Sequence, residues 1–145
     1  MKTYNLIPVE AKKPADAKEW AVCRYYGIER VSHDSKPYNV ASDVDLGEKR
    51  ISVKSEKFTL MAGSLCNGYT DFDDIWNWYE ATTHSNFATY VTKDFKAYEM
   101  TIPEFKQFVY QFCTVQKESQ KNGGTSKIRC RNETKALLDW LESRV

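Results

Sequence analysis

The sequence has no apolar run near the length of a membrane span, no signal-peptide pattern after Met1-Lys2-Thr3-Tyr4, and almost no net charge, +1 over 145 residues. The first two absences argue against a membrane partner and predict cytoplasmic residence. The third removes any whole-molecule electrostatic case for a polyanionic partner, so a basic surface has to be local. Cysteine is sparse and scattered, at Cys23, Cys66, Cys113 and Cys130, with no CxxC pair and neither histidine (His33, His84) nearby in sequence. Zinc spacing is therefore missing, and reduced thiols used as small apolar residues are expected. What is plentiful is apolar and aromatic: 41% and 14% of the chain, enough for one globular domain over residues 1–145.

Along the chain, residues 1–13 read as an extended lead-in. Pro14 opens a helix through Tyr26 that stops at Gly27, with Ala17, Trp20 and Ala21 on one face and Glu19, Cys23 and Tyr26 on another. Residues 31–39 read as a loop carrying His33 and Asp34. A hairpin follows over 40–61, its second strand running from Arg50 toward Met61. Thr70 or Asp71 then caps a helix whose stripe is Phe72, Ile75, Trp76 and Tyr79, with Trp78 off that face. Phe87 to Met100 gives two strands around Lys93-Asp94. Thr101 and Glu104 form a capping box for a helix burying Phe105, Phe108, Val109 and Phe112 and running to about Lys117. After a polar, glycine-rich loop, residues 126–131 alternate with period two: Ile128 and Cys130 face inward, Lys127, Arg129 and Arg131 outward. Asn132 is the expected cap of a final helix.

The chemistry-bearing stretch is the hairpin. Strand alternation turns Ile51 and Val53 to one side and Ser52, Lys54 and Glu56 to the other, close to Asp43 and Asp45. Carboxylates beside a lysine can hold a divalent cation and steer attack on a phosphodiester. The same acids can equally pair with Lys49, Arg50 or Lys54 on an exposed turn.

A helix with a glutamate, then an aspartate, then a strand ending in Ile51-Ser52-Val53-Lys54 resembles the PD-(D/E)XK nuclease superfamily over roughly residues 14–131 in element order. The resemblance implies an α/β restriction-endonuclease-like sandwich with a central mixed β-sheet flanked by helices. It also implies a magnesium- or manganese-dependent endonuclease acting on DNA. The family aspartate falls on Asp43, with Asp45 as the alternative. The lysine falls on Lys54 and the helix glutamate on Glu19. The second acid, two residues before the lysine, falls on Ser52, a departure from the pattern. Glu56, Glu19 or Glu80 then supplies the missing charge, or Asp43 and Asp45 act alone, or the chain binds DNA or inhibits a protein partner without hydrolysis. Lys127, Arg129 and Arg131 are the candidate phosphate contacts, and a duplex break implies a homodimer.

Overall fold

The computed structural model describes residues 1–30, 42–61, 71–116 and 126–145. The His33–Asp34 loop, Cys66 and the glycine-rich segment before Ser126 lie outside them. Among the described residues the fold is α/β, with four helices, a five-stranded mixed sheet and a separate three-stranded sheet.

The large sheet has the order β1 (Lys2–Asn5), β6 (Lys96–Thr101), β5 (Phe87–Val91), β3 (Arg50–Ser55), β2 (Val44–Asp45). Its one parallel pair is β3 with β5, in the register Ser52 to Ala88 and Lys54 to Tyr90. Helix α2 (Phe72–Thr82) lies between these strands in the chain, as a parallel connection requires. The small sheet has the order β4 (Thr59–Met61), β8 (Lys127–Cys130), β7 (Cys113–Gln116) and is antiparallel throughout.

Both faces of the large sheet are covered. Helix α1 (Pro14–Tyr25) packs on one face, where Ala21, Val22 and Cys23 meet Val44, Ile51, Val91 and Ala97. On the other, α2, α3 (Ile102–Phe112), α4 (Lys135–Ser143) and the small sheet enclose Ala88, Tyr90, Tyr98 and Met100 in an aromatic cluster built on Trp76, Phe105 and Phe108.

Local signals set most of these elements. Gly27, at φ 70°, takes the left-handed position that ends α1. Asp71 caps α2 by accepting the Asp74 N–H at 2.9 Å. Thr101 and Glu104 form the full capping box of α3.

Five expectations change. The lead-in is in part a strand, because β1 finds the free edge of β6. The long second hairpin strand is two strands in different sheets: it breaks after Ser55, where Lys57 adopts φ 64°, a left-handed conformation that ends extended pairing. Helix α3 ends at Phe112, and the next residues leave directly as β7, where β-branched Thr114 and Val115 suit a strand. The cap of α4 is Thr134, which accepts the Leu137 N–H at 3.2 Å, not Asn132. On α1, Trp20 is outside the core at 44% exposure, while Lys18 and Glu19 are buried. Lys18 lays its stem inward and reaches the Lys93 carbonyl at 3.2 Å, with its ammonium 3.6 Å from the Phe95 ring centre.

Removing the capping hydroxyl in Thr101→Ala should cost about 1 kcal/mol, and Phe105→Ala about 3–5 kcal/mol. Urea unfolding midpoints of the two variants measure both.

Candidate functional site

The site begins with the shortness of β2. Arg50 donates its N–H to Asn86 Oδ1 at 2.7 Å and accepts the Asn86 N–H at 2.9 Å, both toward β5. Backbone groups alternate along a strand, so Val53 directs its N–H to the opposite edge, past the end of β2. The Asp43 carboxylate takes that place: Val53 N–H donates to Asp43 Oδ2 at 2.8 Å. The Cys23 thiol approaches the Asp43 carbonyl from α1 at 3.9 Å.

Val44 pairs with Ile51, so the continued register sets Asp43 opposite Ser52. Ser52 and Lys54 share the face that carries Ala88 and Tyr90. That face is not open hairpin surface, because α2 covers it. Burial holds the Lys54 ammonium below the ordinary lysine range, and the Asp43 carboxylate partly offsets this. Asp43 is thus the charge that Lys54 faces among the described residues. Tyr79 comes down from α2. It is 9% exposed, and its hydroxyl approaches Ser52 and Thr83 without completing a hydrogen bond to either. Burial is the main reason that hydroxyl is held above its usual range, with Asp43 adding to it.

The structure thus brings Asp43, Ser52 and Lys54 together and adds Tyr79. The sequence assigns Tyr79 to the core as the last position of an apolar stripe. Its hydroxyl was the available signal, because a buried phenol needs a partner.

The other candidates lie elsewhere. Asp45 is exposed and caps its own turn, accepting the Gly47 N–H at 2.8 Å. Glu56 sits beyond the end of β3, where it accepts the Glu133 N–H at 2.9 Å and pairs with Lys93 at 3.2 Å. The Glu133 N–H is the leading cause of its lowered pKa. Glu80 accepts the Trp76 indole N–H at 2.8 Å. Glu19 belongs to the helix on the opposite face of the sheet and pairs with Arg30 at 3.4 Å. Lys127 and Arg129 lie in β8, alternating with the buried Ile128 and Cys130, and Arg131 follows it. Thr59 and Thr114 flank Arg129 across the small sheet, and Gln116 flanks Lys127, with no acid in either row.

Magnesium takes one or two carboxylates and otherwise relies on substrate phosphate and water. Among the described residues no three His, Cys, Asp or Glu side chains are grouped to hold a metal ion. What they offer is the outer oxygen of Asp43. That fits a cation carried mainly by substrate phosphate and does not fit a cage built by the protein. Among the described residues no helix is long and apolar enough to cross a membrane. Compared with protein-family models, with curated proteins and with solved structures, the chain matches none. The functional argument therefore rests on the chain's own residues.

Asp43→Ala should lower stability by about 1–3 kcal/mol, because it strips a charged acceptor from the Val53 N–H, and Asp43→Asn by less. Tyr79→Phe should leave stability unchanged or raise it, since no completed hydrogen bond is lost. Lys54 binds protons more weakly folded than unfolded, so its desolvation cost is fully present below its lowered pKa. That cost is relieved as pH rises through its lowered pKa toward the unfolded value. Lys54→Met should therefore be the more stable protein below that pKa and should lack that alkaline gain. Chemical denaturation across pH checks all three.

Proposed function

We propose that the chain is a restriction-endonuclease-like domain that acts on DNA phosphodiesters as a divalent-metal-dependent endonuclease. Asp43, Ser52, Lys54 and Tyr79 are its reacting end. The observation that carries the proposal is the half-buried Lys54 ammonium facing the anchored Asp43 carboxylate, beside Ser52 and a Tyr79 hydroxyl that is buried without a hydrogen-bond partner among the described residues. A buried donor left unsatisfied destabilises a fold, and a phosphate group would accept from the Tyr79 hydroxyl and pair with Lys54. The parallel β3–β5 pair joined through α2, with the aspartate at the start of the preceding strand, supports the fold assignment.

In this reading Tyr79 and Ser52 donate to non-bridging phosphate oxygens. Lys54, largely removed from water, offsets the charge that develops as the bond to the leaving oxygen breaks. Asp43 stays fixed through Val53 with one oxygen turned to the site. A magnesium or manganese ion held by Asp43 and the phosphate would polarise the phosphorus centre and make its bound water more acidic. Lys127, Arg129 and Arg131 grip the flanking backbone without reading sequence. A homodimer would supply the second site that a duplex break needs, and the working compartment would be the cytoplasm.

A second reading is favoured by Ser52 in the acid position and by Asp45 and Glu56 being engaged elsewhere: the site grips a phosphodiester and does not cut it. Plasmid nicking in magnesium and in manganese separates the two. The endonuclease predicts nicking by the wild type that falls at least 100-fold in Asp43→Asn and in Lys54→Ala, with folding intact by circular dichroism. Binding without nicking would leave the second reading. In either case Arg129→Ala should weaken DNA binding alike across sequences and reduce the slope of log K against log salt by about 1. Fluorescence anisotropy reads this, and the absence of salt-sensitive binding would refute both.

A further inference from the structure

Cys113 and Cys130 face each other across β7 and β8. The kind of pair they form follows from one hydrogen bond. The Cys130 N–H donates to the Phe58 carbonyl at 2.9 Å, toward β4. A strand residue points its N–H and carbonyl to the same edge, so Cys130 turns neither toward Cys113. The two cysteines are therefore a non-hydrogen-bonded antiparallel pair, the closer of the two kinds, with Cα atoms about 4.5 Å apart. That separation lies inside the window of about 4.4–6.8 Å over which a disulfide closes without moving the backbone. Both side chains turn into the same cluster, Cys130 fully buried and Cys113 at its rim with 9% exposure. Both are free thiols.

We propose that Cys113 and Cys130 are a reversible oxidation site, closed to a cross-strand disulfide by a hydroperoxide. The balance is simple. The Cys130 sulfur attacks the peroxide, breaking its O–O bond and becoming a sulfenic acid while the first oxygen leaves as water. The Cys113 sulfur then attacks the oxidised Cys130 sulfur and expels the second oxygen, also as water. Two thiols lose two electrons and two protons, and one hydrogen peroxide becomes two waters. The two thiols interact: their proximity favours the thiolate on one and the protonated thiol on the other, while burial opposes ionisation of both.

The bond would tie the end of α3 to the strand that carries Lys127 and Arg129, closing the loop over residues 114–129. It would restrict the unfolded chain far more than the folded one. It is independent of the phosphodiester site, because Asp43, Ser52, Lys54 and Tyr79 take no part in it.

The test treats the folded full-length protein with hydrogen peroxide. It then counts thiols in denaturant, measures intact mass and maps peptides without reduction. The expected result is a fall from four thiols to two, a loss of about 2 Da, a peptide joining Cys113 to Cys130, and a melting temperature about 5–10 °C higher. Dithiothreitol should reverse all four. The Cys23→Ala/Cys66→Ala double variant should behave alike, while Cys113→Ser and Cys130→Ser should each abolish the change. Four surviving thiols, a gain of oxygen mass without cross-linking, or a disulfide through Cys23 or Cys66 would overturn the proposal. The wild-type peptide map decides the matter even if a variant fails to fold.

Discussion

The five-stranded sheet is covered on both faces, and polar side chains at its centre, Thr89 and Glu99, are therefore buried and in need of partners. Glu99 shows the demand being met. It is buried against α1, accepts from the Tyr26 hydroxyl, and pairs with Lys49 at 2.6 Å. A carboxylate in that position is tolerable only with such partners. The pairing also holds the turn before β3 against the sheet. On the opposite face Ser52 and Lys54 are half-buried, with the Asp43 carboxylate attracting Lys54.

The two faces divide the electrostatic labour of the fold. At the end of β3, Glu56 gathers the Glu133 N–H and the Lys93 ammonium, while Tyr90 donates to Glu133 at 3.1 Å. These contacts tie the approach to α4 to the turn between β5 and β6. Glu56 is thus a structural tie rather than part of the Asp43–Lys54 cluster, and the same holds for Asp45 in its turn.

What could be read from the sequence followed the range of the interactions. The capping box at Thr101 and the Phe105–Phe108–Val109 stripe are local, spanning three or four residues, and were legible in full. So was the cross-strand approach of Asp43 to Ser52 and Lys54, which needs only strand alternation and a tight turn. The end of β3 was not, because whether residues 59–61 continue one sheet or join another depends on β8, far along the chain. Glu56 was misplaced for the same reason: two residues of strand geometry were assumed where Lys57 turns the backbone. Trp20 shares a helical face with Ala17 and Ala21, yet it is exposed while Ala17, Ala21 and Val22 are buried. Tyr79 was legible as a buried ring, but nothing in a helical stripe tells where a phenol oxygen ends up.

The anchoring of Asp43 has one more consequence. Strand β2 contributes only two residues, so among the described residues the outer edge of β3 is unpaired over most of its length, and an unpaired edge is where another chain adds a strand. Asp43 occupies the first backbone donor that such a strand would seek, and it does so with a negative charge. The same carboxylate that faces the candidate site thus keeps the sheet from being extended by a neighbouring molecule. A change that frees the Val53 N–H would expose the chain to edge-to-edge association even where the monomer still folds.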